Sequence, residues 1–319
     1  MPDADLPGFP RPRPSTGPVL VLGARGFLGA QIVTGVQAAG HEVRTAPPGD
    51  LTAASRADWD ALLDGVSGVI NAAGRTFGSP TELTRANALL PARVLEELNR
   101  AGAGSVKLVH LASAAEYGAV PEDHASCEDD PACPLSPYGA SKLAGTVLTL
   151  EAVRSGRVQA AVLRLTNPLG AGIGAGTLPG RAAHELSVAA LEGRDTVLAQ
   201  NTVRFGPLGA RRDFVDARDV ARAVWHALTS DLSGVVNVGS GQARPVRDLV
   251  DGLVALTGFR GQILEDAPGS PRSGDVPYQR ADISRLLDSG FTLRHSFGDS
   301  LEALLRGLEP AEGRTAVMG

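Results

Sequence analysis

Tyr138 and Lys142 stand four residues apart in Pro137-Tyr138-Gly139-Ala140-Ser141-Lys142, which opens a helix expected to run to about residue 154. That spacing puts both side chains on one helical face. An ammonium beside a phenol favours the tyrosinate and draws its pKa toward neutrality, so the tyrosine can give and take a proton. Ser113 lies 25 residues upstream, in His110-Leu111-Ala112-Ser113-Ala114-Ala115-Glu116-Tyr117-Gly118, at the carboxyl end of a strand expected over residues 106–111. Its hydroxyl is placed to bond the same substrate oxygen. The three suit proton transfer on a carbinol or carbonyl. Tyr and Lys are common on helices, so the trio takes its meaning from the elements that position it.

The first of these is residues 18–29, PVLVLGARGFLG. An apolar run reads as a buried strand, and Gly23-x-x-Gly26-x-x-Gly29 lets the backbone turn and bring amides against a phosphate at the next helix's N-terminus. A helix over residues 30–39, Gly40 as its stop and a strand over 41–45 complete a βαβ unit. This is a dinucleotide-binding start, and with it the proton transfer gains a hydride partner. The second strand ends in Arg44-Thr45-Ala46-Pro47-Pro48, without the acidic residue that commonly holds the ribose hydroxyls. Arg25, inside the glycine loop, is placed to meet a 2′-phosphate. NADP(H) is therefore favoured and NAD(H) stays open; the plainer reading makes Arg25 and Arg44 solvated surface charges.

Further along, Gly49-Asp50-Leu51-Thr52 precedes an amphipathic helix around residues 59–63. A strand over residues 68–73 ends in Asn71-Ala72-Ala73-Gly74, whose small side chains leave room for a ligand outside the sheet. A helix over about 82–101 carries Asn87 before the stripe Leu89, Leu90, Val94, Leu95 and Leu98, which reads as core. A strand over 161–165 leads to a Gly-rich loop at 170–180, flexible enough to close over a ligand. The helix after it holds His184, read as structural. A helix over 219–228 and a strand over 235–239 follow.

The 319 residues carry a net charge of −5 and no run of Lys or Arg, so neither a nucleic-acid nor an anionic-membrane surface is expected. With no signal peptide and no apolar stretch long enough to span a bilayer, a cytoplasmic protein is expected. Cys127 and Cys133, near His124, read as free surface thiols, since a zinc site wants about four ligands; no metal is expected. Residues 1–17 are Pro-rich and read as a disordered tail.

In these motifs the chain resembles the extended short-chain dehydrogenases/reductases of the NAD-dependent epimerase/dehydratase group, which modify nucleotide sugars. The resemblance runs from about Val19 to Leu305. It implies an α/β fold: a Rossmann-type doubly wound parallel sheet with a smaller C-terminal substrate-binding region. The dinucleotide-binding part would span residues 18–170 and about 214–239, and the substrate part 171–213 and 240–310. Catalysis would fall to Ser113, Tyr138 and Lys142. The cofactor would be held by Gly23, Arg25, Gly26, Phe27, Leu28, Gly29, Asp50, Leu51, Ala72, Ala73, Gly74, Asn87 and Thr166, with Tyr138 and Lys142. Asp50 would read the adenine amino group, and Thr166 would lie beside the nicotinamide.

Arg164-Leu165-Thr166-Asn167-Pro168-Leu169-Gly170 is similar to the family's R-x-x-N-x-x-G, which gives Asn167 to the sugar nucleotide's diphosphate. Arg211-Arg212-Asp213-Phe214-Val215-Asp216 resembles RDFxxVxD, in which Arg212 would grip the diphosphate; a planar guanidinium suits two phosphate oxygens. In Arg272-Ser273-Gly274-Asp275, Arg272 would take a phosphate and Asp275 the ribose. Ser113 completes the substrate set. The family's homodimers pair two helices per subunit, here about 82–101 and 137–154, where Ala140, Ala144 and Leu148 permit contact.

The 4,6-dehydratases carry Asp-Glu directly after the catalytic hydroxyl residue, whereas this chain has Ala114-Ala115. Reduction of a 4-keto-6-deoxyhexose at C4 is the favoured reading. A 4-epimerase with tightly bound NAD is the alternative, and a non-catalytic dinucleotide sensor a more distant one.

Overall fold

The computed structural model describes residues 17–102, 106–192, 201–268 and 276–308. The run after Pro18 forms β1 (Val19–Leu22) and turns through the glycines into α1 (Phe27–Ala38). β2 (Val43–Thr45) follows, then α2 (Arg56–Leu63), where Ser55 and Asp58 cap each other's backbone N–H. After β3 (Gly68–Asn71), α3 (Pro80–Thr84) and α4 (Leu90–Arg100) form one continuous rod, joined by a π-turn over Arg85–Leu89. β4 (Lys107–Ser113) ends in a short 3₁₀ turn, Ala114–Glu116, before α5 (Pro137–Arg154) and β5 (Gln159–Leu165).

The remaining elements are β6 (Asn167–Leu169), α6 (Leu178–Glu192), β7 (Thr202–Arg204), β8 (Arg211–Asp216), α7 (Ala217–Thr229) and β9 (Gly234–Val238). Then come β10 (Ala243–Pro245), α8 (Val246–Thr257), β11 (Gln262–Leu264), α9 (Ser284–Asp288) and α10 (Phe297–Arg306).

The main sheet has the order β2-β1-β3-β4-β5-β9, and every pair in it is parallel. The winding reverses between β1 and β3, and the crevice outside their carboxyl ends is where such sheets bind ligands. Alternation along β1 builds the two faces. Val19 and Val21 pack with Ile32, Val36, Val220 and Val224 of α1 and α7, whereas Leu20 and Leu22 pack with Trp59, Val94 and Leu98 of α2 and α4. The doubly wound parallel sheet read from the sequence is therefore present.

Within residues 214–239 the strand that returns to this sheet is β9. Phe214 lies on β8, which pairs with β6 and β10 in a second sheet. That sheet borders a third core, with Leu186, Phe205, Leu249, Leu253 and Leu301 fully or nearly buried. The apolar stripe on α4 is core at Leu90, Val94, Leu95 and Leu98, but Leu89 is 48% exposed. The π-turn is the reason: its widened backbone carries Leu89 out of the α-helical register that the stripe assumes.

Candidate active site

At the end of β1, Gly23 has φ +78°, and a Cβ there would lie 2.6–2.7 Å from the backbone of Ala72 and Ala73. A Cβ on Gly29 would lie 2.0 Å from the Gly23 carbonyl oxygen. Only glycine fits either place. Gly26 precedes α1 with no side-chain cap, which leaves the first-turn amides, including those of Phe27 and Leu28, facing the crevice as an anion cradle. The donor set and the absent Cβ atoms fit a dinucleotide's pyrophosphate.

A cleft of about 550 Å³ continues from this loop, lined by Arg25, Gly26, Asp50, Leu51 and Arg85 among others. Asp50 Oδ1 accepts from Thr52 N–H at 2.9 Å and from Thr52 Oγ1 at 2.7 Å, while Oδ2 accepts from Arg85 Nη1 at 2.9 Å. These bonds, the Thr52 hydroxyl first, hold Asp50 below the usual carboxylate pKa. Arg85 comes from the π-turn and escaped the sequence reading. Arg25 is exposed and pairs with no carboxylate among the described residues. Arg44 is not a free surface charge: its Nη1 donates to the carbonyls of Ala61, Leu62 and Asp64, closing the C-terminus of α2.

Ser113 ends β4, and Tyr138 and Lys142 lie on α5. Ser136 caps α5 by accepting from Gly139 N–H, and Tyr138 sits in the first turn. A Cβ on Gly139 would lie 2.5 Å from the Ala115 carbonyl oxygen, so this turn is pressed against the Ser113–Glu116 turn. Ser113 Oγ accepts from Ala115 N–H at 3.2 Å. Lys142, one helical turn beyond Tyr138, is buried, and its Nζ donates to the Leu111 carbonyl at 2.6 Å. Burial draws its pKa down to about 8, opposed by the charge of Glu116.

Asn87 is fully buried in the π-turn. Its amide donates to the Arg75 carbonyl at 2.8 Å and to Ser141 Oγ at 3.0 Å, and its oxygen accepts from Arg75 N–H at 3.0 Å. It thereby ties the loop after β3, with Gly74, to the helix of Tyr138 and Lys142. Behind Lys142, Asn71 Nδ2 lies 3.3 Å from His110 Nδ1, and burial presses the His110 pKa down to about 3. The amide donates, so the imidazole is neutral with its proton on Nε2.

Just after β5, Thr166 is buried beside Gly239, and its N–H donates to the Val238 carbonyl. Asn167 Nδ2 donates to the Asp213 carbonyl at 3.1 Å and to Gln279 Oε1 at 2.7 Å. Arg212 is half-buried and donates to the Arg211 carbonyl, and no ion pair engages it among the described residues. Burial lowers its pKa. A desolvated guanidinium without a counter-ion is suited to an anion. Asp213, next in the chain, is buried and accepts from the N–H groups of Ser240, Gly241 and Ala281 and from Ser240 Oγ. Arg272 and Asp275 lie outside the described residues.

His184 is exposed on α6 rather than packed. Cys133 is exposed and Cys127 half-buried, with Cys127 Sγ donating to Asp130 Oδ1 at 3.3 Å; both are free thiols. No helix among the described residues is long and apolar enough to cross a membrane.

A dTDP-6-deoxy-L-talose 4-dehydrogenase (NAD(P)(+)) of Kitasatospora kifunensis is 36% identical over 312 residues, covering 91% of this chain and 96% of its own length. The structure of RMD from Pseudomonas aeruginosa complexed with NADPH matches with TM-score 0.80 and 25% identity, over 92% of this chain and 98% of that one. MoeE5 in complex with UDP-glucose and NAD matches with TM-score 0.76 and 30% identity, over 91% and 98%. The model of the NAD dependent epimerase/dehydratase family matches residues 19–239, from β1 through the strand that closes the main sheet. The chain belongs to that family, and is an NAD(P)-dependent nucleotide-sugar-modifying enzyme of the extended short-chain dehydrogenase/reductase type.

Proposed function

We propose that the protein reduces a nucleotide-diphosphate-linked 4-keto-6-deoxyhexose at C4, with NADPH as the favoured reductant. The observation that carries this reading is the pairing of Tyr138 and Lys142 beside a turn whose one carboxylate, Glu116, is buried in an ion pair with Arg164. Eliminating water from a sugar needs an extra acid and base facing the substrate. Ala114 and Ala115 supply neither, and Glu116 is committed elsewhere. The K. kifunensis relative, named for oxidoreduction at C4 of a 6-deoxyhexose with either dinucleotide, supports the same position of attack.

A bound nicotinamide dinucleotide supplies hydride chemistry. Tyr138 gives its phenolic proton to the C4 oxygen as that carbon is reduced from ketone to alcohol. Lys142 stabilises the tyrosinate left behind and holds the nicotinamide ribose, and Ser113 Oγ orients the carbonyl oxygen. Gly23, Gly26 and Gly29 hold the pyrophosphate, with Phe27 and Leu28 amides. Asp50 and Leu51 border the adenine, Ala72, Ala73, Gly74 and Asn87 the ribose and nicotinamide side, and Thr166 the nicotinamide. Asn167 and Arg212 receive the substrate diphosphate, with Arg272 on a phosphate and Asp275 on the nucleoside ribose.

The test is to supply the purified protein with a 4-keto-6-deoxy nucleotide sugar and follow NADPH. Stoichiometric oxidation with one alcohol product supports the reductase. Interconversion of two nucleotide sugars without added dinucleotide, with NAD released on denaturation, supports the 4-epimerase instead. Two copies associate, in this reading, through the helices that expose Leu89, Val147 and Leu148, which are 48, 54 and 41% exposed. Light scattering of the wild type against Val147→Asp measures that association.

A further inference from the structure

The turn that carries Ser113 ends in a carboxylate for which the proposed chemistry has no use. Glu116 is fully buried, and each of its oxygens is committed. Oε1 accepts from Ser113 N–H at 3.2 Å and from Thr146 Oγ1 at 3.0 Å, and Oε2 accepts from Arg164 Nε at 2.9 Å. Ser113 ends β4, Thr146 stands one helical turn beyond Lys142 on α5, and Arg164 belongs to β5. One side chain thus joins the serine's turn, the tyrosine and lysine helix and the neighbouring strand. A fold that needed only to fill this space could do so with an apolar residue, at no desolvation cost.

The group on which the charge acts is Lys142. His110 faces it from β4 and is neutral. Tyr138 stands one turn earlier on α5, and the Leu111 carbonyl accepts from Nζ. Arg164 lies behind Glu116, with its guanidinium over the Tyr117 ring at 4.6 Å. Burial pushes the Glu116 carboxyl up, and the Arg164 guanidinium with the Ser113 and Thr146 bonds opposes that; in its charged form the carboxyl favours the charged lysine against the burial that opposes it.

We propose that Glu116 is a positioning residue: it pins the Ser113 turn to α5 through Thr146 and places its carboxylate one helical turn beyond Lys142. The inference rests on reading Tyr138 and Lys142 as the proton-transfer pair. Glu116→Gln keeps the shape, removes the charge and leaves the Arg164 guanidinium uncompensated. Both changes disfavour a proton on Lys142.

The chain has two lysines, Lys107 and Lys142, so ε-carbon-labelled lysine gives two NMR resonances, which Lys107→Arg assigns. The experiment titrates the Lys142 resonance in full-length protein as wild type, Glu116→Gln and Thr146→Val. The expected result is a midpoint lower by about half a pH unit or more in Glu116→Gln. Thr146→Val loses the bond to α5 but keeps the charge, and its midpoint stays at the wild-type value. Should Glu116→Gln fail to fold, Glu116→Gln combined with Arg164→Met removes both buried charges, and the midpoint again falls. An unmoved Lys142 midpoint in a folded variant lacking the Glu116 carboxylate overturns the proposal. Absence of wild-type turnover on 4-keto nucleotide sugars would instead overturn the functional reading, independently of the lysine midpoint.

Discussion

Tyr117 Oη donates to Asn237 Oδ1 at 2.7 Å, joining residues 120 positions apart in the chain. Asn237 Nδ2 passes the connection on to the carbonyls of Ser126 at 2.8 Å and Asp282 at 3.0 Å. The end of the serine's turn, the loop before α5, the last strand of the main sheet and the C-terminal segment therefore meet at one buried amide. Burial pushes Tyr117 up to about 12, so it stays a neutral donor.

Asn237→Ala leaves the Tyr117 hydroxyl buried without an acceptor and is expected to cost about 2–3 kcal/mol in urea unfolding. Tyr117→Phe removes the donor instead and should cost about 1 kcal/mol. The double variant should fall short of the sum by about 0.5 kcal/mol or more, since both changes delete one bond. Full additivity would deny the coupling.

Tyr138→Phe is expected to lower kcat by about 100- to 10,000-fold, the range of a lost general acid. Dinucleotide binding, followed by protein fluorescence, should persist, because the glycine loop and the α1 amides are untouched. Near-wild-type turnover would remove Tyr138 from the mechanism.

Arg25→Ala should weaken NADPH roughly 10-fold, the worth of one charge-assisted hydrogen bond, and leave NADH unchanged. Arg44→Ala should leave the ratio of the two affinities alone, because that guanidinium closes α2. Paired titrations with both dinucleotides measure the contrast. If neither affinity changes in Arg25→Ala, the argument for NADPH fails.

His110 sets a pH dependence of stability. Its folded pKa of about 3 lies below the ordinary 6.5, so below about pH 6.5 the unfolded chain binds a proton that the folded chain refuses. The stability it leaves intact at neutral pH is therefore lost as pH falls from about 6.5 toward 3, by at most roughly 1.4 kcal/mol per unit. Urea denaturation at pH 7 and pH 5 should show about 2 kcal/mol more loss in the wild type than in His110→Gln. Equal losses would contradict a buried neutral imidazole.

The dinucleotide start, the Ser113, Tyr138 and Lys142 spacing and the parallel sheet were legible because each is a local signal: a glycine turn, a helical period, an apolar run. What escaped was set by tertiary approach. Arg85 reaches Asp50 across 35 residues, Arg164 reaches Glu116 across 48, and Gln279 reaches Asn167 across 112. No spacing rule announces such pairs. Arg44 read as a solvated charge because the open carbonyls of α2 become its partners only when β2 and α2 pack. Leu89 read as core because a uniform 3.6-residue period was assumed through a stretch that does not keep it.

The π-turn at Arg85–Leu89 has a consequence for how this rod tolerates change. A π-turn amounts to one residue inserted into an α-helix. Within the turn the rod answers to the cleft, through Arg85 and Asn87; downstream it answers to the core, through Leu90, Val94 and Leu98. The two demands are out of phase by one residue, and the exposed Leu89 absorbs the difference. Deleting Leu89 would restore a regular α-helix and force the rod to choose, turning either Asn87 off Ser141 or the leucines off the sheet. A surface residue that touches neither cleft nor core is thus harder to delete than to substitute.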